Sequence, residues 1–313
     1  MKYIHNDQDW GNLINIVSEK TKILPALVEK DYWIMHALYG LKKSGYEFYL
    51  KGGTTLSKAF SLIERFSEDI DILIEPKELL SNNARTDTKK EINIQKRKYF
   101  FESLTRDIKI AGFTKIVRDY TFDDDKYRNA GVRLEYNALN EDGGIKHGIL
   151  LEAGFDNIEP NTPHTISSWI YDHLVESNLQ NQFIENRAVE IPCYHPGYTF
   201  IEKLQAVSTK FRQLKEGNDV VNFARHYYDI SCLLSSSEVQ DFIGTEKYIL
   251  HKDQRFRKDD EKDLTKNIAF NITETKTFQN MNKMFKATES LYYGNAPSFQ
   301  EILSKIKPHL KNL

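Results

Sequence analysis

The sequence predicts an α/β protein of the α+β type, in which a small mixed sheet with flanking helices precedes a C-terminal helical domain. Short runs of alternating apolar and polar residues, typical of strands, lie in the first part of the chain. Apolar residues at helical spacing dominate after residue 195. The 313 residues are enough for two domains of roughly 150 residues each. We therefore place one domain at residues 1–194 and a helical domain at residues 195–313.

The first elements alternate between helix and strand. Residues 21–43 carry apolar side chains at helical spacing and predict a long amphipathic helix. A short strand at residues 48–51 is expected next, followed by a Gly-Gly corner, a helix over residues 55–63 and an alternating strand at residues 69–74. The predicted order is strand, turn, helix, strand.

The later elements include a basic helix. Residues 85–118 predict a long helix leading into a strand and hold ten Lys or Arg against four Asp or Glu. Strands are predicted at residues 131–136 and 145–155, with a hairpin turn at Asp142-Gly143-Gly144. Helices are expected at four places in the C-terminal domain: residues 200–211, 223–234, 276–292 and 298–306.

The composition excludes two classes of protein. With 43 Lys+Arg against 45 Asp+Glu, the formal net charge is −2, which excludes a strongly basic protein. No segment approaches the roughly 18 uninterrupted apolar residues of a membrane helix. The N-terminal sequence MKYIHNDQDW lacks the apolar stretch of a signal peptide. We expect a soluble, cytoplasmic protein without a membrane partner.

Two adjacent glycines, Gly52 and Gly53, stand at the predicted turn from a strand to a helix. Glycine lets the backbone approach a bulky anion closely, and the free N–H groups at the start of a helix favour phosphate. Thr54 and Thr55 add hydroxyl donors, and Lys58 adds a cation close to the turn. The turn therefore predicts a phosphate-binding site.

Two carboxylates follow on the next strand. Asp69 and Asp71 alternate with apolar residues, so the two-residue period of a strand places both on one face. Like charges on one face repel each other unless a cation lies between them, and oxygen ligands select Mg²⁺ or Mn²⁺. Together with the glycine turn, they predict a site for a nucleoside triphosphate and a metal. The alternative is an ordinary turn followed by solvated aspartates.

Four motifs follow one another along the chain: Lys51-Gly52-Gly53-Thr54-Thr55-Leu56-Ser57-Lys58, Arg65-Phe66-Ser67-Glu68-Asp69-Ile70-Asp71, Glu202-Lys203-Leu204-Gln205-Ala206 and Arg225-His226-Tyr227-Tyr228-Asp229. They resemble the motifs of the AbiEii/MenT-type nucleotidyltransferase toxins, in the DNA polymerase β nucleotidyltransferase superfamily. Val28-Glu29-Lys30-Asp31-Tyr32-Trp33 and Tyr293-Gly294-Asn295-Ala296-Pro297-Ser298-Phe299 also resemble that family. The resemblance implies a nucleotidyltransferase catalytic domain at residues 1–194 and a helical domain that completes its cleft.

The superfamily implies a third metal carboxylate on a strand beside the paired aspartates. Glu152 is the favoured candidate, because a charged residue within an apolar strand is costly unless it is compensated. Glu135 is the rival, although it could simply pair with Arg133 on the same strand. The sequence leaves this choice open.

The resemblance also assigns Lys203 and Asp229 to the site. It implies that Lys203 contacts the triphosphate, whereas the sequence alone fits a surface lysine beside an apolar stripe. Asp229 lies four residues after Arg225, so an ion pair within one helix is the alternative to orienting Lys203 or Arg225. Three more cations would continue a positive ridge after Lys203: Lys210, Arg212 and Lys215.

The leading hypothesis is a metal-dependent nucleotidyltransferase that transfers NMP from an NTP to an acceptor. The resemblance implies a toxin of a toxin–antitoxin or phage-defence system, with RNA, in particular the 3′ end of tRNA, as the acceptor and a separate antitoxin as a partner. One alternative is an antibiotic-type enzyme that modifies a small molecule. The other is a module that binds a nucleotide or a partner without turnover.

Overall fold

A computed structural model describes residues 1–75, 89–140, 147–155, 159–294 and 297–313. The predicted hairpin turn at Asp142-Gly143-Gly144 lies outside these residues. The chain forms two compact units. Unit 1 comprises Met1–Ala59 and Phe66–Tyr194, and unit 2 comprises Phe60–Arg65 and His195–Leu313.

Unit 1 contains a seven-stranded mixed sheet of strand order β3-β4-β5-β2-β1-β7-β6. Strand β2 pairs antiparallel with β1 and parallel with β5, and β1 pairs parallel with β7. The other neighbours, β3 with β4, β4 with β5 and β6 with β7, are antiparallel. The strands are β1 Phe48–Lys51, β2 Asp69–Ile74, β3 Lys115–Asp119, β4 Asn129–Glu135, β5 Ile149–Gly154, β6 Asn161–Ile166 and β7 Ala188–Tyr194.

The described helices of unit 1 lie around this sheet. Helix α2 begins with a proline at its first turn, is buried along nearly its whole length and contacts β5 and β7. The α-helices are α1 Trp10–Thr21, α2 Pro25–Lys43, α3 Gly52–Thr54, α4 Glu91–Asp107 and α5 Trp169–Glu176. A π-helical turn, Thr55–Ala59, continues α3, and 3₁₀ turns occur at Ile4–Asn6, Tyr120–Phe122 and Gln180–Gln182.

Unit 2 is helical in its described residues. Helix α6 is central, because its apolar stripe is buried and it contacts the helices α7 and α9. The helices are α6 Pro196–Lys215, α7 Arg225–Leu233, α8 Ser237–Phe242, α9 Glu246–Arg255, α10 Thr275–Lys286 and α11 Phe299–Ile306, with 3₁₀ turns at Glu289–Leu291 and Lys307–His309. None of the helices in the described part of the chain combines the length and the apolar character that a membrane crossing requires.

The predicted fold class is confirmed, since a mixed sheet in the first part of the chain is followed by helices. Strands β1 and β2 have the predicted bounds. The helix predicted over residues 55–63 instead ends at Ala59, because the next six residues, Phe60–Arg65, belong to unit 2. Strands β6 and β7 were not predicted.

Candidate active site

The glycine turn and the aspartate strand are in direct contact. Gly52 follows β1 with φ of +76°, a left-handed conformation that favours glycine. A Cβ atom at Gly52 would overlap Oδ2 of Asp71 and lie 2.9 Å from its Cγ. The Asp71 carboxylate is therefore directed at the turn, and only glycine leaves room for it there.

Asp71 also has a carboxylate neighbour on the adjoining strand. It is in register with Glu152 of β5, while Asp69 is in register with Leu150. Residues directly opposite each other point to the same side of a sheet, and adjacent strands are about 4.8 Å apart. Asp69 is buried, whereas Asp71 and Glu152 are partly exposed. Three carboxylates therefore share one face on two neighbouring strands.

The rival Glu135 lies elsewhere on the sheet. It is on β4, which is separated from β2 by β5. Its carboxylate is 4.0 Å from Nζ of Lys115, the residue with which it is in register on β3. The alternative pair with Arg133 does not form, and Arg133 instead contacts Asp119 at 2.6 Å. The geometry favours Glu152 as the third carboxylate beside Asp71.

The two threonines of the turn are buried. The Thr54 hydroxyl donates to the carbonyl oxygen of Asp69 at 3.0 Å, so it ties the turn to the first residue of β2. Within the described residues, the hydroxyl of Thr55 has no hydrogen-bond partner. Binding of phosphate by Gly52, Gly53 and these threonines stays a prediction.

Lys58 is held inside unit 1. Its Nζ lies 2.6 Å from Oδ1 of Asp31 and 4.2 Å from the centroid of the Trp169 ring. Asp31 also accepts a hydrogen bond of 2.8 Å from the backbone N–H of Trp169. Burial raises the pKa of the Asp31 carboxyl, although the charge of Lys58 opposes the change. This ion pair joins α2 to the π-helical turn, and nucleotide contact by Lys58 stays a prediction.

Asp31 belongs to three consecutive buried charges that the site prediction did not use. Glu29 accepts hydrogen bonds from the backbone N–H groups of Leu139 and Asn140, at 2.9 and 3.0 Å. Nζ of Lys30 is 3.8 Å from the carboxylate of Glu68, the residue before Asp69. The available signal was the run Glu29-Lys30-Asp31 within an apolar helix, because buried charges require partners.

In unit 2, Lys203 and Asp229 form a buried cluster with Arg65. Arg65 donates two hydrogen bonds of 2.6 Å to Asp229, from Nε to Oδ1 and from Nη2 to Oδ2. Nζ of Lys203 contacts Oδ2 of the same carboxylate at 2.6 Å. His226 is 3.8 Å from that oxygen. Asp229 therefore pairs with Arg65 and Lys203, instead of forming the intrahelical pair with Arg225.

Burial and charge oppose each other in this cluster. Burial alone would raise the pKa of Asp229, but the charges of Arg65 and Lys203 outweigh it and hold that pKa well below its ordinary value. Burial lowers the pKa of Lys203, against the opposing effect of Asp229. Burial also lowers the pKa of His226 to about 4. The carboxylate is therefore ionised at neutral pH, whereas the imidazole is not.

The predicted positive ridge after Lys203 is wrong in part. Arg212 is 3.2 Å from Asp260, and Lys215 is 2.8 Å from Glu274, so acids that are remote in sequence neutralise two of its cations. Lys210 is exposed. On the basic helix α4, Lys96 and Lys98 are exposed, whereas the exposed Arg106 donates from Nε to Oδ1 of Asp107 at 2.8 Å.

No group of three or more His, Cys, Asp or Glu side chains is clustered tightly enough to hold a metal ion by itself, as far as the described residues show. Mg²⁺ usually binds one or two carboxylates together with waters and substrate phosphates. Asp69, Asp71 and Glu152 supply hard oxygen donors on one face. The chemistry of these donors therefore fits a divalent cation such as Mg²⁺.

Comparisons with known proteins place the chain in a family. The family model for the nucleotidyl transferase AbiEii toxin of type IV toxin–antitoxin systems matches residues 35–305. The solved structure of MenT4, a nucleotidyltransferase toxin from Mycobacterium tuberculosis H37Rv, is similar with a TM-score of 0.52 and 14% identity, over 95% of this chain and 94% of that one. At that identity the likeness shows the fold. Among curated proteins none matches. The chain belongs to the AbiEii nucleotidyltransferase toxin family and is a nucleotidyltransferase.

Proposed function

We propose that this nucleotidyltransferase is metal-dependent and transfers NMP from an NTP to an RNA acceptor, the 3′ end of tRNA. The observation that supports this best is the position of Asp71, which faces the Gly52 turn and is in register with Glu152. A carboxylate between a glycine turn and a second carboxylate is suited to a metal-bound triphosphate.

Asp69, Asp71 and Glu152 would hold Mg²⁺ or Mn²⁺. When bound, the metal supplies neutralisation of the charge on the phosphates and orientation of the reacting oxygens. Gly52 leaves space for the Asp71 carboxylate, and Thr54 fixes β2 to the turn, so the chain itself sets the spacing of these groups. The acceptor hydroxyl attacks the α-phosphorus, and pyrophosphate leaves.

Lys203 is the residue of unit 2 that takes part in the proposed reaction. The family resemblance implies that its ammonium contacts the triphosphate, where it would stabilise charge that builds on the leaving pyrophosphate. A buried cation suits this purpose, since electrostatic interactions are stronger where water is excluded. Lys203 is 7% exposed, and Asp229 is 0% exposed.

RNA is the acceptor that the surface of α4 favours. Lys96 and Lys98 are exposed on this helix, and Tyr99 beside them is 61% exposed. Cations interleaved with an exposed aromatic ring are typical of surfaces that bind single-stranded nucleic acid, because the ring stacks on bases while the cations contact phosphates. This surface supports RNA over a small molecule.

The family is one of toxin–antitoxin systems, so a cognate antitoxin is implied as a partner. We propose growth arrest as the outcome of transfer to tRNA, in toxin–antitoxin action or in defence against phage. Blocking the 3′ end would prevent aminoacylation there.

The test is to incubate the protein with each labelled NTP, Mg²⁺ and total RNA, and to sequence what becomes labelled. We expect label at tRNA 3′ ends, its loss with EDTA, and its loss in Asp71→Asn, which keeps the side-chain shape. Glu135→Gln is the matched control, because it removes a carboxylate from a neighbouring part of the same sheet. Label in Asp71→Asn equal to that of the unaltered protein would reject the proposal. Label on a small molecule but not on RNA would reject the acceptor.

A further inference from the structure

The segment Phe60–Arg65 belongs to unit 2, although it is flanked in sequence by parts of unit 1. Hydrogen bonds attach it there. The N–H of Glu64 donates to the Tyr228 hydroxyl at 3.2 Å, and the N–H of Tyr293 donates to the carbonyl oxygen of Glu64 at 3.2 Å. Arg65 forms a β-bridge with Tyr292. The backbone of Arg65 is therefore fixed independently of its side chain.

A second contact involves the motif that begins at Tyr293-Gly294, to which the sequence analysis assigned no role. A Cβ atom at Gly294 would overlap Oε2 of Glu64 and lie 3.0 Å from its Cδ. The Tyr293-Gly294 motif thus packs directly against the residue before Arg65. Two motifs that are 228 residues apart in sequence (Arg65 to Tyr293) meet at this place.

The side chain of Arg65 ends in the Lys203 cluster. Arg65 is 2% exposed, and its two parallel hydrogen bonds to Asp229 use the fork geometry that only arginine provides. Asp229 is thus shared by two cations, and the three side chains together have a formal charge of +1. Without Arg65, Lys203 and Asp229 would form a neutral pair.

We propose that Arg65 is a positioning residue for Lys203, because it holds Asp229 in the orientation that fixes the lysine ammonium. This rests on the proposed function, in which Lys203 contacts the triphosphate. Arg65 acts through Asp229 and does not touch the nucleotide. The Arg65–Asp229 pair therefore determines whether Lys203 offers its charge to the leaving pyrophosphate.

A double-mutant cycle tests this. Arg65→Gln should lower kcat/KM for NTP by about 10- to 100-fold, which is 1.4 to 2.7 kcal/mol at 1.36 kcal/mol per tenfold change. Arg65→Lys should recover part of the loss, since it restores the charge but not the fork. In the Asp229→Asn background, Arg65→Gln should have no further effect, because a neutral amide needs no arginine. Multiplicative losses, or an Arg65→Gln variant within twofold of the unaltered protein, would overturn the proposal.

Two controls separate this role from a structural one. If Arg65→Gln does not fold, the double variant Arg65→Gln/Asp229→Asn still tests the proposal, since it exchanges both charges for amides. Its kcat/KM should match that of Asp229→Asn. A kcat/KM below that of Asp229→Asn would overturn the proposal. Calorimetric titration with inorganic pyrophosphate, in EDTA and without NTP, should show at least tenfold weaker binding to Arg65→Gln, and unchanged affinity would contradict the proposal. If the unaltered protein transfers nothing but binds pyrophosphate in this pattern, the proposed function fails and the role of Arg65 stands.

Discussion

The carboxylate of Asp71 occupies the space that a side chain at Gly52 would need. Gly52 also has φ of +76°, so two independent constraints require glycine at this turn. Both constraints originate in the local sequence. Gly52 directly follows β1, and the antiparallel partner strand β2 places Asp71 opposite Lys51, the last residue of β1.

The first prediction concerns Gly52→Ala. The methyl group would displace the Asp71 carboxylate and strain the turn, so we expect transfer activity to fall by at least 100-fold and stability to fall by about 2 kcal/mol. Activity is measured by incorporation of labelled NMP and stability by urea denaturation. Gly217→Ala is the control, because Gly217 also has a positive φ but has no neighbouring atom within 4 Å of the place that a Cβ would take. Equal activity losses in both variants would show that the contact with Asp71 is irrelevant.

The second prediction distinguishes the two candidate carboxylates. Glu152→Gln removes a charge beside Asp71, so activity should fall by 10-fold or more, on the order of 1.4 kcal/mol of transition-state stabilisation. Glu135→Gln disrupts only a partly exposed pair with Lys115 and should change activity by less than about twofold. Titrating Mg²⁺ in both assays should show a raised requirement in Glu152→Gln alone. The reverse ranking would identify Glu135 as the metal ligand.

Local sequence signals predicted the centre of the site, because the glycine turn and the strand β2 depend on residues close together in sequence. Strands β6 and β7 escaped prediction for a physical reason. They contain Pro163 and Pro192 and lack clear alternation, and β7 is fixed by pairing with β1, far away in the chain. The position of these strands is therefore determined by pairing between segments that are distant in sequence, and not by a local pattern.

Of the two cations that pair with Asp229, the sequence analysis named Lys203 but missed Arg65. Arg65 and Asp229 are 164 residues apart, so the interpretation of Asp229 from its helix alone selected Arg225 instead. The predicted positive ridge after Lys203 was wrong for Arg212 and Lys215 for a similar reason, because Asp260 and Glu274 approach them from later in the chain. By contrast, the family was predicted correctly from its four motifs and is confirmed by the family model.

The third prediction concerns the buried pair of Asp31 and Lys58. Asp31→Asn keeps an acceptor for the N–H of Trp169 but leaves Lys58 without its 2.6 Å partner, so we expect a loss of about 2 to 4 kcal/mol in stability. Asp31→Asn combined with Lys58→Met should cost less than the sum of the single changes, because it leaves no unpaired charge. Urea denaturation of the four proteins gives the coupling energy. Strict additivity would mean that the pair does not stabilise the turn.

The fourth prediction concerns the pH dependence of stability. His36 is 1% exposed, its Nε2–H donates to the carbonyl oxygen of Ala111 at 2.8 Å, and its Nδ1 accepts from the Asn186 amide at 3.0 Å. This arrangement requires the neutral ring, and burial lowers the pKa of His36 from 6.5 to about 4. Because the folded-state pKa is depressed, the contribution of His36 is fully present above pH 6.5 and is lost as the pH falls toward 4.

The magnitude follows from linkage. A shift from 6.5 to about 4 corresponds to a loss of about 3 kcal/mol between those pH values. Urea denaturation between pH 7 and pH 4 should show a steeper decline in the unaltered protein than in His36→Gln, which cannot be protonated. Parallel declines would mean that His36 does not titrate in this range. His173→Gln is the control, because comparing it with His36→Gln tests whether the loss of any histidine changes the dependence of stability on pH in the same way.

The last prediction concerns the basic surface of α4. Lys96→Gln together with Lys98→Gln removes two exposed cations next to Tyr99, so affinity for tRNA should fall and the slope of log K against log salt should decrease by about 0.7 to 0.9 per lost phosphate contact. KM for NTP should not change, since neither lysine belongs to the carboxylate face. The matched control is Lys283→Gln with Lys286→Gln, which removes the same charge from exposed positions of α10. Filter binding across a range of salt concentrations measures the slope. If the control pair weakens binding as much as the α4 pair, the effect is one of net charge, and α4 is not the surface that holds the acceptor.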